Sequence, residues 1–283
     1  MTCLINGNVA TTLAATDRAT QYGDAVFETV AVVEGEPLHW ERHWQRLVRG
    51  LDVLRLPVPD EALLRAEARE VLASTASGVL KILITAGSGG RGYRRPARPD
   101  CQRILSLHPL PSHPPQRWFD GVTVRVCRMQ LAQQPVLAGL KHGNRLEQVL
   151  ARAEWDAPEI AEGLMCDTDG ALVEGTMSNI FAVRDGGLET PDLSRCGVAG
   201  VMREVIMELA TEQQIVVHER RAGLDHWLQA DALFLCNSVI GVWPVADVGG
   251  RPYPLDSLTR RLRDMVVERG LAPSPAHFRS TPP

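Results

Sequence analysis

The chain has 283 residues, 45% hydrophobic and 23% charged, a profile of one large or two ordinary globular domains. Its net charge of −4 argues against general binding to nucleic acid or to an anionic membrane surface. The six cysteines, Cys3, Cys101, Cys127, Cys166, Cys196 and Cys236, form no C-x-x-C pair and no metal spacing with histidine, so no metal is expected and the thiols suit a reducing cytoplasm.

In chain order, MTCLINGN lacks the basic start and apolar run of a signal peptide, and no later run is long enough to span a membrane. Residues 25–33 (AVFETVAVV) read as a strand that turns at Glu34-Gly35. Leu38, Trp40, Trp44, Leu47, Leu51 and Leu54 recur at near-helical spacing, so a helix is predicted over 38–54. A second helix is expected over 60–74 with Asp60 as its cap. Strands follow at 79–85 and 103–107. This makes a small α+β domain over 1–108.

Four prolines in 109–118 (PLPSHPPQRW) exclude a helix interior or a central strand, so the stretch reads as a linker. A larger domain is expected over 119–271. It has strands at 122–127, 179–183, 214–218 and 232–236, and helices at 144–155, 200–212 and 256–268. A hairpin runs from Cys166 to Val173 and turns at Asp169-Gly170. Residues 272–283 read as a loosely ordered tail.

Of 30 basic residues only two are lysine, Lys81 and Lys141. Arginine replaces lysine as a surface charge but not as an amine nucleophile. Alternation places Lys81 on the strand face opposite Leu80 and Ile82, an ordinary position. Lys141 follows the small, apolar Leu137-Ala138-Gly139-Leu140. It precedes Gly143-Asn144, which reads as the start of a helix. Burial and a helix N-terminus both favour a neutral amine there, the form needed to form an imine or take a proton.

A pyridoxal-type cofactor would also need a carboxylate for its ring nitrogen and a cradle for its phosphate. Glu174, in LVEGTMSNIF after the hairpin, is the carboxylate candidate. GVAGVMREVI (197–206) leads glycines into a helix, so the amides of Val201 and Met202 are the phosphate candidates. Asn237-Ser238 is a second polar turn after a strand. Each feature alone also suits an ordinary turn or a solvated carboxylate. Their conjunction in one chain is more specific.

These residues resemble the fold type IV pyridoxal-phosphate enzymes, the group of branched-chain and D-amino-acid aminotransferases. The matching stretches are DRATQYGDAVFETV (17–30), HWQRL (43–47), GSGGRGY (87–93), AGLKHGNRLEQVL (138–150), VEGTMSNIF (173–181) and GVAGVMR (197–203). GSGGRGY together with GLKHGNRLEQ is most similar to the aminodeoxychorismate lyases. One departure is Gly143, where that motif carries leucine.

The resemblance implies a two-domain α+β fold type IV enzyme with pyridoxal 5′-phosphate, acting as a homodimer in the cytoplasm. Its substrate would be 4-amino-4-deoxychorismate, converted to 4-aminobenzoate and pyruvate for folate synthesis. Lys141 would hold the cofactor and act as acid and base. Glu174 would pair with the pyridine nitrogen. Arg46 would contact the phosphate with Val201, Met202 and Ser238. Ser178 would also line the cofactor. Arg145 falls where branched-chain aminotransferases place a tyrosine near the cofactor's phenolic oxygen. Thr29, Arg91 and Tyr93 would bind substrate. Arg91 and Tyr93 fall where D-amino-acid aminotransferases reach in from the partner subunit. The alternatives are a D-amino-acid or branched-chain aminotransferase of the same fold, and a non-catalytic nucleotide-binding module using GSGGRG. The second lacks the P-loop lysine and a full Rossmann fingerprint.

Overall fold

The computed structural model describes residues 3–73 and 75–278. The chain divides into two compact units, residues 1–110 with 140–145, and residues 111–139 with 146–283.

The first unit is a six-stranded antiparallel sheet. Its order is Asn8–Val9, Cys3–Ile5, Gln102–His108, Ser77–Thr85, Ala25–Val33 and Glu36–Pro37. Strand alternation sorts Ala25–Val33 into two faces: Val26, Glu28, Val30 and Val32 are buried, while Phe27 and Thr29 are half-exposed. Glu34 and Gly35 take φ of 53° and 81°, the left-handed pair that matches strand twist in a two-residue turn. Helix Trp40–Val53 lays Trp40, Leu47 and Leu51 on the buried face. It comes close because Gly50 has no side chain; a Cβ there would stand 2.9 Å from Val26 Cγ1. Helix Glu61–Leu72 starts where Asp60 accepts from the Ala62 N–H, and it adds Leu64, Ala68 and Val71 to the same core. Each fully buried leucine contributes roughly 1.5–3 kcal/mol.

The second unit carries a nine-stranded mixed sheet. Its order is Val217–Arg220, Gly187–Pro191, Asn179–Arg184, Ala232–Asn237, Gly241–Val248, Val122–Val126, Ile160–Cys166 and Leu172–Gly175, with Arg251–Pro252 also on Gly241–Val248. Helices Val201–Glu212 and Ser257–Glu268 bury Met202, Val205, Ile206, Leu262 and Val266 in one core with Phe181 and Phe234, whose rings stack at 5.0 Å.

Several local expectations change. The strand read over 214–218 forms at Val217–Arg220 instead. The preceding helix ends with Gln214 at φ 57°, and the N–H groups of Gln214 and Ile215 return to Thr211 and Ala210. This left-handed cap consumes the residues that looked extended. The helix read over 144–155 runs only from Leu146 to Arg152. Inside the stretch read as linker, Gln116–Phe119 makes one helical turn and Trp118 is 1% exposed. Within 272–278, read as part of a loose tail, Ala272, Pro273 and Phe278 are buried. Phe278 is 2% exposed, its ring 4.6 Å from that of Trp118, because two large aromatics bury more area together than apart. The rest of that tail lies outside the described residues. Among the described residues no helix is long and apolar enough to cross a membrane.

Candidate active site

In the first unit, Lys141 sits on an extended segment, not at a helix start. Its carbonyl accepts from the Phe27 N–H at 2.9 Å, and the Gly143 N–H donates to Ala25 at 2.7 Å. These bonds, with the Val26–His142 bridge, tie 141–143 to strand Ala25–Val33, and the chain bends at Gly143. The helix begins only at Leu146, five residues after the lysine. The Lys141 Nζ stands 4.6 Å from the centre of the Phe27 ring. Lys81 is exposed, as alternation implies, and its Nζ is 5.4 Å from the same ring. Both lysines therefore approach one aromatic ring, and Thr29 pairs with Lys81 across the sheet.

Gly143 explains itself. A Cβ there would stand 2.7 Å from the Gly23 carbonyl oxygen. The turn admits no leucine without moving the backbone. Arg145 folds back on the same segment, donating to the carbonyls of His142 at 2.8 Å and Leu140 at 3.2 Å.

Arg46 is buried on the helix face toward the sheet. Its Nε donates to Glu28 Oε1 at 2.8 Å and its Nη2 to Glu28 Oε2 at 2.5 Å. His43, one turn earlier, places Nδ1 2.6 Å from the same carboxylate. A carboxylate only accepts, so Nδ1 carries the proton. Burial pushes the Glu28 carboxyl up, but the charge and hydrogen bonds of Arg46 and His43 outweigh it and bring it down to about 2. Burial holds His43 below its ordinary value. Neither Glu28 nor His43 was anticipated from the sequence. The available signal was a carboxylate on the inward phase of an apolar strand, with H-x-x-R on the next helix.

The GSGGRGY stretch ends in a tight turn with Gly92 and Tyr93 at its tip, bridged by Arg91 and Arg94. Arg91 and Tyr93 are exposed, Tyr93 by 88%. The stretch leads into this turn and not into a helix, so it offers no helix N-terminus to a phosphate.

In the second unit, Glu174 is 4% exposed on strand Leu172–Gly175. Its Oε2 accepts from the Val198 N–H at 2.8 Å. The carbonyl of Val198 accepts from Asn179 Nδ2 at 2.9 Å. Gly139 also joins this loop, donating to Gly197 at 2.9 Å and accepting from Ala199 at 3.1 Å. The loop feeds helix Val201–Glu212, whose N-cap Gly200 gives no side-chain cap. The first N–H groups of such a helix have no partner within it. No larger residue fits at 200, since a Cβ would lie 2.0 Å from Asn179 Oδ1.

Ser178 is buried, and its hydroxyl donates to Glu162 at 2.8 Å. Glu162 also accepts from Gly163, Thr176 (N–H and hydroxyl) and Met177, knitting the loop after Glu174. Burial nonetheless holds its carboxyl above the ordinary value. Asn237 ties this loop to the turn of Ser238, donating to Met177 at 3.0 Å and accepting from Val239 and Ile240. The second unit thus sets Glu174 at a strand end, Val201 and Met202 at a helix start, and Ser178 and Ser238 on the turns joined by Asn237. The first places Thr29 on the Phe27 side of strand Ala25–Val33 and Lys141 beside the Phe27 ring, while Arg46 pairs with Glu28 of the same strand. Among the described residues no group of three His, Cys, Asp or Glu could hold a metal.

Residues 25–248 match the family described as amino-transferase class IV. An aminodeoxychorismate lyase of Vibrio harveyi is 36% identical over 263 residues, covering 92% of this chain and 97% of the relative. A branched-chain-amino-acid aminotransferase of Escherichia coli (strain K12) is 27% identical over 242 residues, covering 82% of this chain and 78% of the relative. The crystal structure of 4-amino-4-deoxychorismate lyase from Pseudomonas aeruginosa superposes with a TM-score of 0.91 at 45% identity, covering 94% of this chain and 98% of that one.

Proposed function

The chain belongs to the class IV amino-transferase family, and from this we propose that it converts 4-amino-4-deoxychorismate to 4-aminobenzoate and pyruvate with pyridoxal phosphate. The observation that carries the choice of lyase is the 45% identity, over 94% of the chain, to the Pseudomonas lyase.

The residues present fit the cofactor. Lys141 offers an amine on a fixed, extended segment, and Glu174 a buried carboxylate already held by a backbone donor. Helix Val201–Glu212 offers an uncapped N-terminus. When bound, pyridoxal phosphate supplies an aldehyde for amines and a ring that withdraws electrons from the adjacent carbon.

With the cofactor bound, Lys141 would hold it through its amine and would serve as the base for the proton at ring C4 of the substrate. Glu174 keeps a proton on the pyridine nitrogen, because a buried carboxylate favours the cationic partner. Arg46 and the amides of Val201 and Met202 bind the phosphate, with Ser238 and Ser178 at the adjoining loops. Arg145 would supply a positive charge for the cofactor's phenolic oxygen. Thr29, Arg91 and Tyr93 orient the substrate, whose two carboxylates suit a guanidinium. The C3–O bond to the enolpyruvyl group breaks as the C4 proton leaves. The ring becomes aromatic, pyruvate takes up the proton, and no oxidant or keto acid is consumed.

The working unit is a homodimer in which Arg91 and Tyr93 serve the partner's substrate. All six cysteines are free thiols, which supports a cytoplasmic setting. The test is purified protein with 4-amino-4-deoxychorismate and no keto acid, following pyruvate and 4-aminobenzoate together. Equal release of both is expected. Turnover that needs a keto acid and gives no pyruvate would make the protein an aminotransferase instead.

A further inference from the structure

The D-R-x-x-x-x-G-D stretch at 17–24 carries three charged residues that the reaction does not use, Asp17, Arg18 and Asp24, and the last two concern a neighbouring turn. Both are largely buried, and both face the turn that carries Arg91 and Tyr93. Arg18 is 4% exposed. Its Nη1 donates to the Gly92 carbonyl at 3.0 Å and its Nη2 to the Tyr93 carbonyl at 3.1 Å. One planar guanidinium thus grips both tip residues of the turn. Its Nε donates to Asp24 Oδ2 at 2.9 Å. Arg95, just past the turn, donates its Nε to the same oxygen at 2.8 Å and its Nη2 to Asp24 Oδ1. Asp24 therefore stands between the clamp and the far leg of the turn.

Aromatic contacts repeat the link. Arg18 lies 4.8 Å from the centre of the Tyr22 ring, and that ring is 5.5 Å from the ring of Tyr93. The base of the clamp is rigid as well. Asp17 caps the short helix Arg18–Tyr22 through the Ala19 N–H at 2.7 Å and accepts from the Thr85 hydroxyl at 2.8 Å. Gly23 closes that helix at φ 65°, a conformation that costs glycine nothing.

A turn with Tyr93 88% exposed makes few packing contacts that could fix it. The hydrogen bonds of Arg18 go to its backbone, so they fix its position and leave the side chains of Arg91 and Tyr93 unspent. We propose that Arg18, set by Asp24, is the positioning residue for substrate carboxylate recognition, holding the turn so that Arg91 meets a carboxylate in a fixed place. The identity of the carboxylate rests on the lyase reading; the hold on the turn does not.

The test uses Arg18→Gln, Arg18→Lys and Tyr22→Leu in the holoenzyme. Tyr22→Leu removes the ring that contacts Arg18 and Tyr93 while leaving Arg18 and Asp24 in place, so it remains informative if Arg18→Gln folds poorly. Hydrogen exchange over residues 88–98 should rise in Arg18→Gln. KM should rise about tenfold or more, the loss expected for charged hydrogen bonds, with kcat changed less than about threefold. Arg18→Lys should recover part of the KM effect, and Tyr22→Leu should show a smaller rise. Added to Arg91→Ala, Arg18→Gln should have little further effect on KM, since both act through one contact. Unchanged exchange and KM in Arg18→Gln and Tyr22→Leu would overturn the proposal. So would an equal fall of kcat and kcat/KM with loss of the cofactor absorbance. Failure of the wild type to release pyruvate would sink the lyase reading alone, and the exchange result would still decide on the clamp.

Discussion

Asn179 holds the carbonyl of Val198 with its side-chain amide at 2.9 Å, while the N–H of the same Val198 is given to Glu174 at 2.8 Å. The two peptide groups that flank Val198 are thus fixed, one by Glu174 and the other by Asn179, the first and last residues of an E-x-x-x-x-N stretch. Val198 lies three residues before helix Val201–Glu212, so the stretch links the carboxylate proposed for the pyridine nitrogen to the amides proposed for the phosphate.

Asn179→Ala leaves that carbonyl without its donor, at a cost of about 1–3 kcal/mol. The variant should fold and bind pyridoxal phosphate more weakly, by about tenfold, measured by equilibrium dialysis and cofactor absorbance. Wild-type affinity would mean that the loop holds its shape without the asparagine.

Lys141→Ala should fold, lose turnover and lose the absorbance of covalently bound cofactor. Lys81→Arg should keep both, because its position asks for a charge and not for an amine. An active Lys141→Ala protein with an unchanged spectrum would dispose of the proposed chemistry.

Glu174→Gln should still bind cofactor covalently but turn over at least about a hundredfold more slowly, as when one charge-stabilising group is lost. The amide still accepts from Val198 but no longer favours a protonated ring. Near-normal single-turnover rates would assign the pyridine partner to another carboxylate.

Glu28 links stability to pH. Its folded pKa of about 2 lies below the ordinary 4.5, so its stabilising effect is complete above about 4.5 and is lost as pH falls toward 2. Glu28→Gln breaks a buried pair, a change that costs about 3–5 kcal/mol. Urea midpoints of wild type and variant should therefore differ most at pH 6 to 7 and converge as the solution is acidified. A gap that stays constant down to pH 3 would show that the loss is one of packing alone.

Arg91 tests assembly. A protein lacking Arg91 mixed with one lacking Lys141, under subunit exchange, should recover up to roughly half the activity of a wild-type dimer, because one of two symmetric sites is complete. No recovery from exchanged subunits would place Arg91 within its own chain.

Local chemistry determined much of this protein. Alternation placed strand Ala25–Val33, and Asp60 capped its helix where an acid before an apolar repeat should. The scarcity of lysine singled out Lys141, and Glu174 stood out by its place after a hairpin and before small polar residues. These signals are short-range, set by backbone sterics and by the period of each element. They mislead where the chain borrows geometry from elsewhere. Lys141 looked like a residue at a helix start, but bonds to Ala25 and Phe27, more than a hundred residues earlier, keep its segment extended. Gly143 looked like a departure from a motif until the Gly23 carbonyl filled the space where a side chain would go. Glu28 read as one more polar residue on a strand; only the packing of the next helix against the sheet turned it into the buried partner of Arg46 and His43. The clamp of Arg18 on Gly92 and Tyr93 spans more than seventy residues. Side chains separated so far meet only when the whole sheet is assembled, and nothing in their local spacing records the distance between them.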